Sequence, residues 1–112
     1  MKADGNRDRE YLLRILEHCQ RIEDACKRFG NNYEAFSKDA DFQDVVCMNI
    51  FQIGEISNLL SEETREQYKD IPWHQMYGIR NIMAHAYTRI ENKIVWDTVV
   101  IDIPKLKHIL KD

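Results

Sequence analysis

Three observations predict an all-α fold, an up-and-down bundle of four or five helices, for this chain of 112 residues. Two long segments place apolar side chains at alternating steps of three and four, the signature of a helix burying one face. No stretch alternates with period two over a convincing length, although VWDTVVIDI is rich in β-branched residues. The chain holds no internal repeat, low-complexity tract or linker, so residues 1–112 read as one domain. A domain of this size buries roughly 60–68% of its unfolded surface and folds without staples.

The first helix is expected from about Arg7 to Phe29, with Leu12, Ile15, Cys19, Ile22, Cys26 and Phe29 on its buried stripe. Gly30 followed by two asparagines supplies a C-terminal stop. Tyr33 and Phe36 fall in a short helical connection that ends at the polar cluster Ser37 to Asp41, where Asp39 or Asp41 can cap the next element. A second long helix is expected from about Phe42 to Leu60, carried by Phe42, Val46, Ile50, Ile53, Ile56 and Leu60. Ser61, followed by Glu62 and Glu63, opens a short third helix to about Lys69. The segment Asp70-Ile71-Pro72-Trp73 then breaks the chain, because a residue before proline avoids the helical region while proline suits a helix start.

The next helix contains the most informative segment, RNIMAHAY at 80–87. At about 100° per residue, Ile79, Ile82, Met83 and Ala86 form an apolar core seam. His74, Gly78, Asn81 and His85 form a second stripe, and Trp73, Met76, Tyr77, Arg80, Ala84 and Tyr87 a third. That third stripe makes the helix apolar over more of its circumference than one core can use, which predicts a symmetric dimer built on it. Thr88 to Lys93 reads as a polar connector, and Ile94 to Leu110 as a last helical region that Pro104 should kink or split.

Sixteen basic and nineteen acidic residues give a net charge of −3, which excludes a strongly basic nucleic-acid binder and confines any such contact to a local patch. Cys19, Cys26 and Cys47 are an odd number with no C-x-x-C pair, and they read as reduced core thiols. The N-terminal MKADGNRDREY has no apolar signal region, and no apolar run reaches membrane-span length. A soluble, untargeted, cytoplasmic protein is expected, with no membrane partner.

Arg80, Asn81 and His85 carry the equipment for phosphodiester chemistry. A guanidinium grips phosphate oxygens and the charge of a pentacovalent transition state, an imidazole moves the proton of a 2′-hydroxyl, and an amide orients either. Arg80 and His85 are nevertheless about 140° apart on a regular helix, so one phosphate reaches both only if the helix ends or distorts, or if a second copy faces the first. An arbitrary arginine five residues before a histidine is far more often structural. His18, His74 and His108 read as structural too: His74 and His85 lie about 16 Å apart along a helix, and no H-x-x-x-H pair exists, so neither a metal nor another cofactor is expected. Glu55, beside Gly54 in FQIGEISNLL, is either a solvated carboxylate or a buried one orienting Arg80 or His85. Asp41 and Asp44 read as capping and surface groups.

The combination of IGE, IPW, G-x-RN, HAY and VWD, in this order within a chain that also carries RIEDACKRF and NNYEAF, resembles the HEPN superfamily, and within it the HepT-like toxins of HEPN/nucleotidyltransferase (HepT/MntA-type) toxin–antitoxin pairs. The resemblance implies a HEPN-like homodimer in which two RNIMAHAY helices line one cleft. It implies metal-independent cleavage of RNA, not DNA, in a type VII-like system, with His85 as general base or acid, Arg80 as phosphate ligand and Asn81 as orienting amide. It further implies a nucleotidyltransferase antitoxin as partner and Tyr87 as the acceptor of its AMP. The alternative is a non-catalytic helical module that binds a nucleotide or docks the nucleotidyltransferase.

Overall fold

The computed structural model describes residues 6–78 and 92–111, and all of the regular structure among them is helical. Helix α1 spans Asn6–Phe29, α2 Tyr33–Lys38, α3 Ala40–Ser57 and α4 Glu62–Gln67. Residues 73–78 form α5. After the undescribed 79–91 come α6, Asn92–Asp97, a π-helical turn over Thr98–Asp102 and α7, Ile103–Lys111.

Each boundary has a local cause. Gly30 adopts φ 125°, a conformation L side chains rarely take, and its N–H bonds the Cys26 carbonyl at 3.0 Å. Asn32 then caps α2 by accepting from the Ala35 N–H at 2.8 Å. Of the two aspartates considered for the next cap, Asp39 is the one used, accepting from Asp41 and Phe42 at 2.9 and 3.2 Å; Asp41 and Asp44 are exposed. Helix α3 starts at Ala40 and stops at Ser57, not Leu60. Ser61 must reach the extended backbone of an N-cap, φ −64° and ψ 155°, so residues 58–60 are spent on a turn. Leu60 keeps its buried place from outside the helix.

The third helix likewise stops at Gln67 instead of Lys69. The Tyr68 carbonyl accepts two other donors, the Ile71 N–H at 3.0 Å and the Trp73 indole N–H at 3.1 Å, which turns the chain into the Ile71-Pro72 break. The polar connector drawn to Lys93 is too long, since Asn92 and Lys93 already belong to α6. Lys93 is held there by Asp97 at 3.3 Å, one turn on, and by the Tyr33 ring, 5.2 Å from its ammonium. Pro104 does interrupt the last helical region, through the π-turn just before it, where the Ile103 N–H bonds the Thr98 carbonyl. The turn absorbs the hydrogen bond and the space that a proline ring removes from an α-helix. VVIDI is thus helical despite its β-branched composition.

The core forms where α1 lies along α3. Leu12, Ile15, Cys19 and Ile22 from α1 and Phe42, Val46, Ile50 and Ile53 from α3 are essentially sealed from solvent. One end is closed by aromatic rings: Phe42 stacks on Phe29 and meets Phe36 edge-on, both at 5.2 Å, and Trp96 of α6 lies 5.4 Å from Phe36. Ile103, Leu106 and Leu110 bring α7 into the same core, and Lys107 ties it to α1 through Glu23 at 2.6 Å. The three thiols are free, Cys19 and Cys26 buried and Cys47 half-buried. Among the described residues no helix is long and apolar enough to cross a membrane.

Candidate functional site

The described segment that precedes RNIMAHAY in the chain is α5, and the way it starts decides which side chains it offers. Ile71 is buried and the Pro72 carbonyl accepts the Met76 N–H at 3.0 Å, so the helix begins pinned to the core. Met76 is 1% exposed, which corrects its assignment to an outward, dimer-forming stripe: one chain's own core consumes it. Trp73 is half-buried against the core with its indole N–H satisfied. Among the described residues of that stripe, Tyr77, at 39% exposure, faces outward. Arg80, Asn81, His85 and Tyr87, with the seam Ile79, Ile82, Met83 and Ala86, lie outside the described residues.

Glu55 is half-buried on α3, between the buried Gly54 and Ile56 in sequence. Where the end of α3 meets α4 and α5, a groove of about 470 Å³ opens. Its walls include Arg65 and Lys69 from α4 and its turn, and Trp73, His74 and Tyr77 from α5. Glu62 and Glu66 share it.

Of the other histidines, only His18 has the structural surroundings expected of it among the described residues. His18 shares a hydrogen bond with the Asn49 Oδ1 across α1 and α3 at 2.8 Å; His74 and His108 are exposed. Among the described residues no three His, Cys, Asp or Glu side chains are grouped to hold a metal ion.

Two buried carboxylates escaped the reading of the sequence. Asp8, near the start of α1, accepts from the Ser61 and Thr64 hydroxyls, each at 2.5 Å, which joins α1 to the start of α4. These hydroxyls, Ser61 first, hold its carboxyl below the usual carboxylate range. Asp102, at the end of the π-turn, accepts from the Gln75 amide of α5 at 3.2 Å. Burial pushes its carboxyl up, with Lys105 opposing. Asp8 could have been suspected as an acid in the first turn of a helix. Nothing local marks Asp102, because its inward direction depends on the π-turn.

Comparison with known proteins places these features in context. A family model described as "Ribonuclease HepT-like" matches residues 15–112. A protein of Caldanaerobacter subterraneus subsp. tengcongensis named "Putative RNase" is 31% identical over 104 residues, covering 93% of this chain and 91% of that protein. One of the same description from Methanocaldococcus jannaschii is 32% identical over 110 residues, covering 93% and 88%. A "Probable ribonuclease HepT" of Thermococcus cleftensis is 31% identical over 99 residues, covering 88% of each. No solved structure matches the chain.

Proposed function

The chain belongs to the Ribonuclease HepT-like family of the HEPN superfamily, and from that premise we propose that it is a metal-independent endoribonuclease, the toxin of a type VII-like toxin–antitoxin pair. The observation that carries the reading is the R-N-x-x-x-H-x-Y motif, Arg80, Asn81, His85 and Tyr87, inside the matched residues 15–112. Dimerisation would bring two such motifs to one cleft and relieve the angular separation of Arg80 and His85.

The reaction suits these groups. The 2′-oxygen attacks the adjacent phosphorus as His85 takes its proton, a P–O2′ bond forms and the P–O5′ bond breaks. The departing 5′-oxygen takes a proton from the second imidazole of the dimer or from water. Arg80 neutralises the charge that grows on the non-bridging oxygens, and Asn81 orients the phosphate or the imidazole. Without a 2′-hydroxyl the nucleophile is missing, so DNA is not a substrate. In the antitoxin's reaction the Tyr87 phenol oxygen attacks the α-phosphorus of ATP, expelling pyrophosphate and losing its proton to a base. The AMP phosphate then competes for Arg80 through charge-assisted hydrogen bonds.

The test is cleavage of RNA by purified protein in EDTA, read by the 2′,3′-cyclic phosphate on the products. Activity should persist under chelation and disappear in His85→Ala. Loss on chelation, cutting of a 2′-deoxy strand, or an active His85→Ala variant would overturn the assignment.

A further inference from the structure

We infer that the groove between α4 and α5 is a single-stranded RNA subsite, which holds a nucleotide flanking the scissile phosphate: Arg65 and Lys69 take its backbone phosphate and Tyr77, with His74, stacks on its base. The inference rests on the ribonuclease reading, whose motif follows α5 in the chain. Four observations support it. The groove, about 470 Å³, falls in the size range of small-ligand sites and accommodates one nucleotide. Neither Arg65 nor Lys69 takes a salt bridge among the described residues, although Glu62 and Glu66 line the same groove, so both cations remain available to an incoming anion. Tyr77 and His74 line the same groove and are exposed, a pairing of ring side chains with cations that single-stranded nucleic acid uses. Tyr77 precedes Arg80 by three residues, so their Cα atoms are at most about 11 Å apart whatever the backbone does.

The groove's charges are mixed, Arg65 and Lys69 against Glu62 and Glu66. Two cations flanked by Glu62 and Glu66 do not make a general polyanion surface. They favour one phosphate in one place, and the carboxylates are acceptors for base amino and imino groups.

The test measures binding of a twelve-nucleotide RNA, 2′-O-methylated so that it cannot be cleaved, to the full chain between 50 and 200 mM KCl. Each lost phosphate contact lowers the slope of log affinity against log salt by about 0.7 for single strands. Arg65→Gln with Lys69→Gln removes that one phosphate contact and should therefore lower it by about 0.7, so that wild type loses about 2.6-fold more affinity than the variant over that fourfold range. Tyr77→Ala should weaken binding by about 5- to 150-fold with its slope unchanged. Lys38→Gln, a surface cation paired with Glu34 outside the groove, should match wild type. Wild type that binds RNA while the double variant keeps the full slope overturns the groove and leaves the nuclease standing, even if the variant loses affinity for the antitoxin. Wild type that neither binds nor cleaves RNA overturns both.

Discussion

Asp8→Ala should destabilise the protein by about 2–4 kcal/mol at pH 7. The carboxylate is 7% exposed and accepts from the hydroxyls of Ser61 and Thr64, both at 2.5 Å, with the Ser61 N–H further off at 3.4 Å. Hydrogen bonds to a charged group contribute about 1.5–3 kcal/mol each, so two give roughly 3–6. Part is recovered because the two hydroxyls still contact one another at 3.1 Å, which leaves the stated range. At about 2.1 cal/mol/K of unfolding entropy per residue, the melting temperature should fall by about 8–17 °C. The folded carboxyl lies below its ordinary value of 3.8, the Ser61 hydroxyl being the largest cause. Its contribution is therefore fully present above the unfolded pKa and is lost as pH falls through the lower, folded one. Urea unfolding of wild type and variant at pH 7 and again near pH 2 reads both effects, and a cycle with Thr64→Val isolates one bond. A difference under about 0.5 kcal/mol at pH 7, or one as large at pH 2 as at pH 7, would refute the clasp.

Asp102 titrates with the opposite sign. Burial raises its folded pKa above 3.8, so its charge opposes folding at neutral pH and that cost disappears as pH falls through the folded value towards the unfolded one; Asp102→Asn should leave stability at pH 7 unchanged or raised, with less gain from acid in the same urea assay. Gly30→Ala forces φ 125° on a side chain and brings its Cβ to 2.9 Å from that of Ala35, which should cost about 1–3 kcal/mol in thermal unfolding. Burial pushes the Cys47 thiol from 9.0 up to about 11 and the Cys19 thiol to about 12; near pH 7.5 the thiolate fraction of Cys47 is then about a hundredfold lower than in unfolded protein, and both thiols should react with a thiol-disulfide reagent more slowly in native than in unfolded protein.

What the sequence reveals and what it hides divide along the range of the interactions involved. The stripes Leu12–Ile15–Cys19–Ile22 and Val46–Ile50–Ile53 are set by helical repeat and hydrophobicity, and they pack as periodicity predicts. Caps at Asn32, Asp39 and Ser61 are decided within three residues, so they too are legible or nearly so. The ends of α3 and α4 are not, because each is set by a competitor beyond its own helix. The Tyr68 carbonyl is claimed by Trp73, and Ser61 is drawn to Asp8, 53 residues earlier. Met76 shows the same limit on a helical wheel. Its angular neighbours suggested an outward stripe, yet the Ile71-Pro72 start rotates α5 so that Met76 enters the core and leaves Tyr77 outside. That rotation bears on the chemistry. A dimer on this helix must be built with less apolar surface from Trp73 and Met76 than the wheel promised, while Tyr77 is left facing the groove with Arg65 and Lys69. Tyr77→Ala thus separates two roles for one exposed ring: if Tyr77 serves RNA, affinity for the strand falls at unchanged oligomeric state, and if it serves the dimer, light scattering shows the loss first.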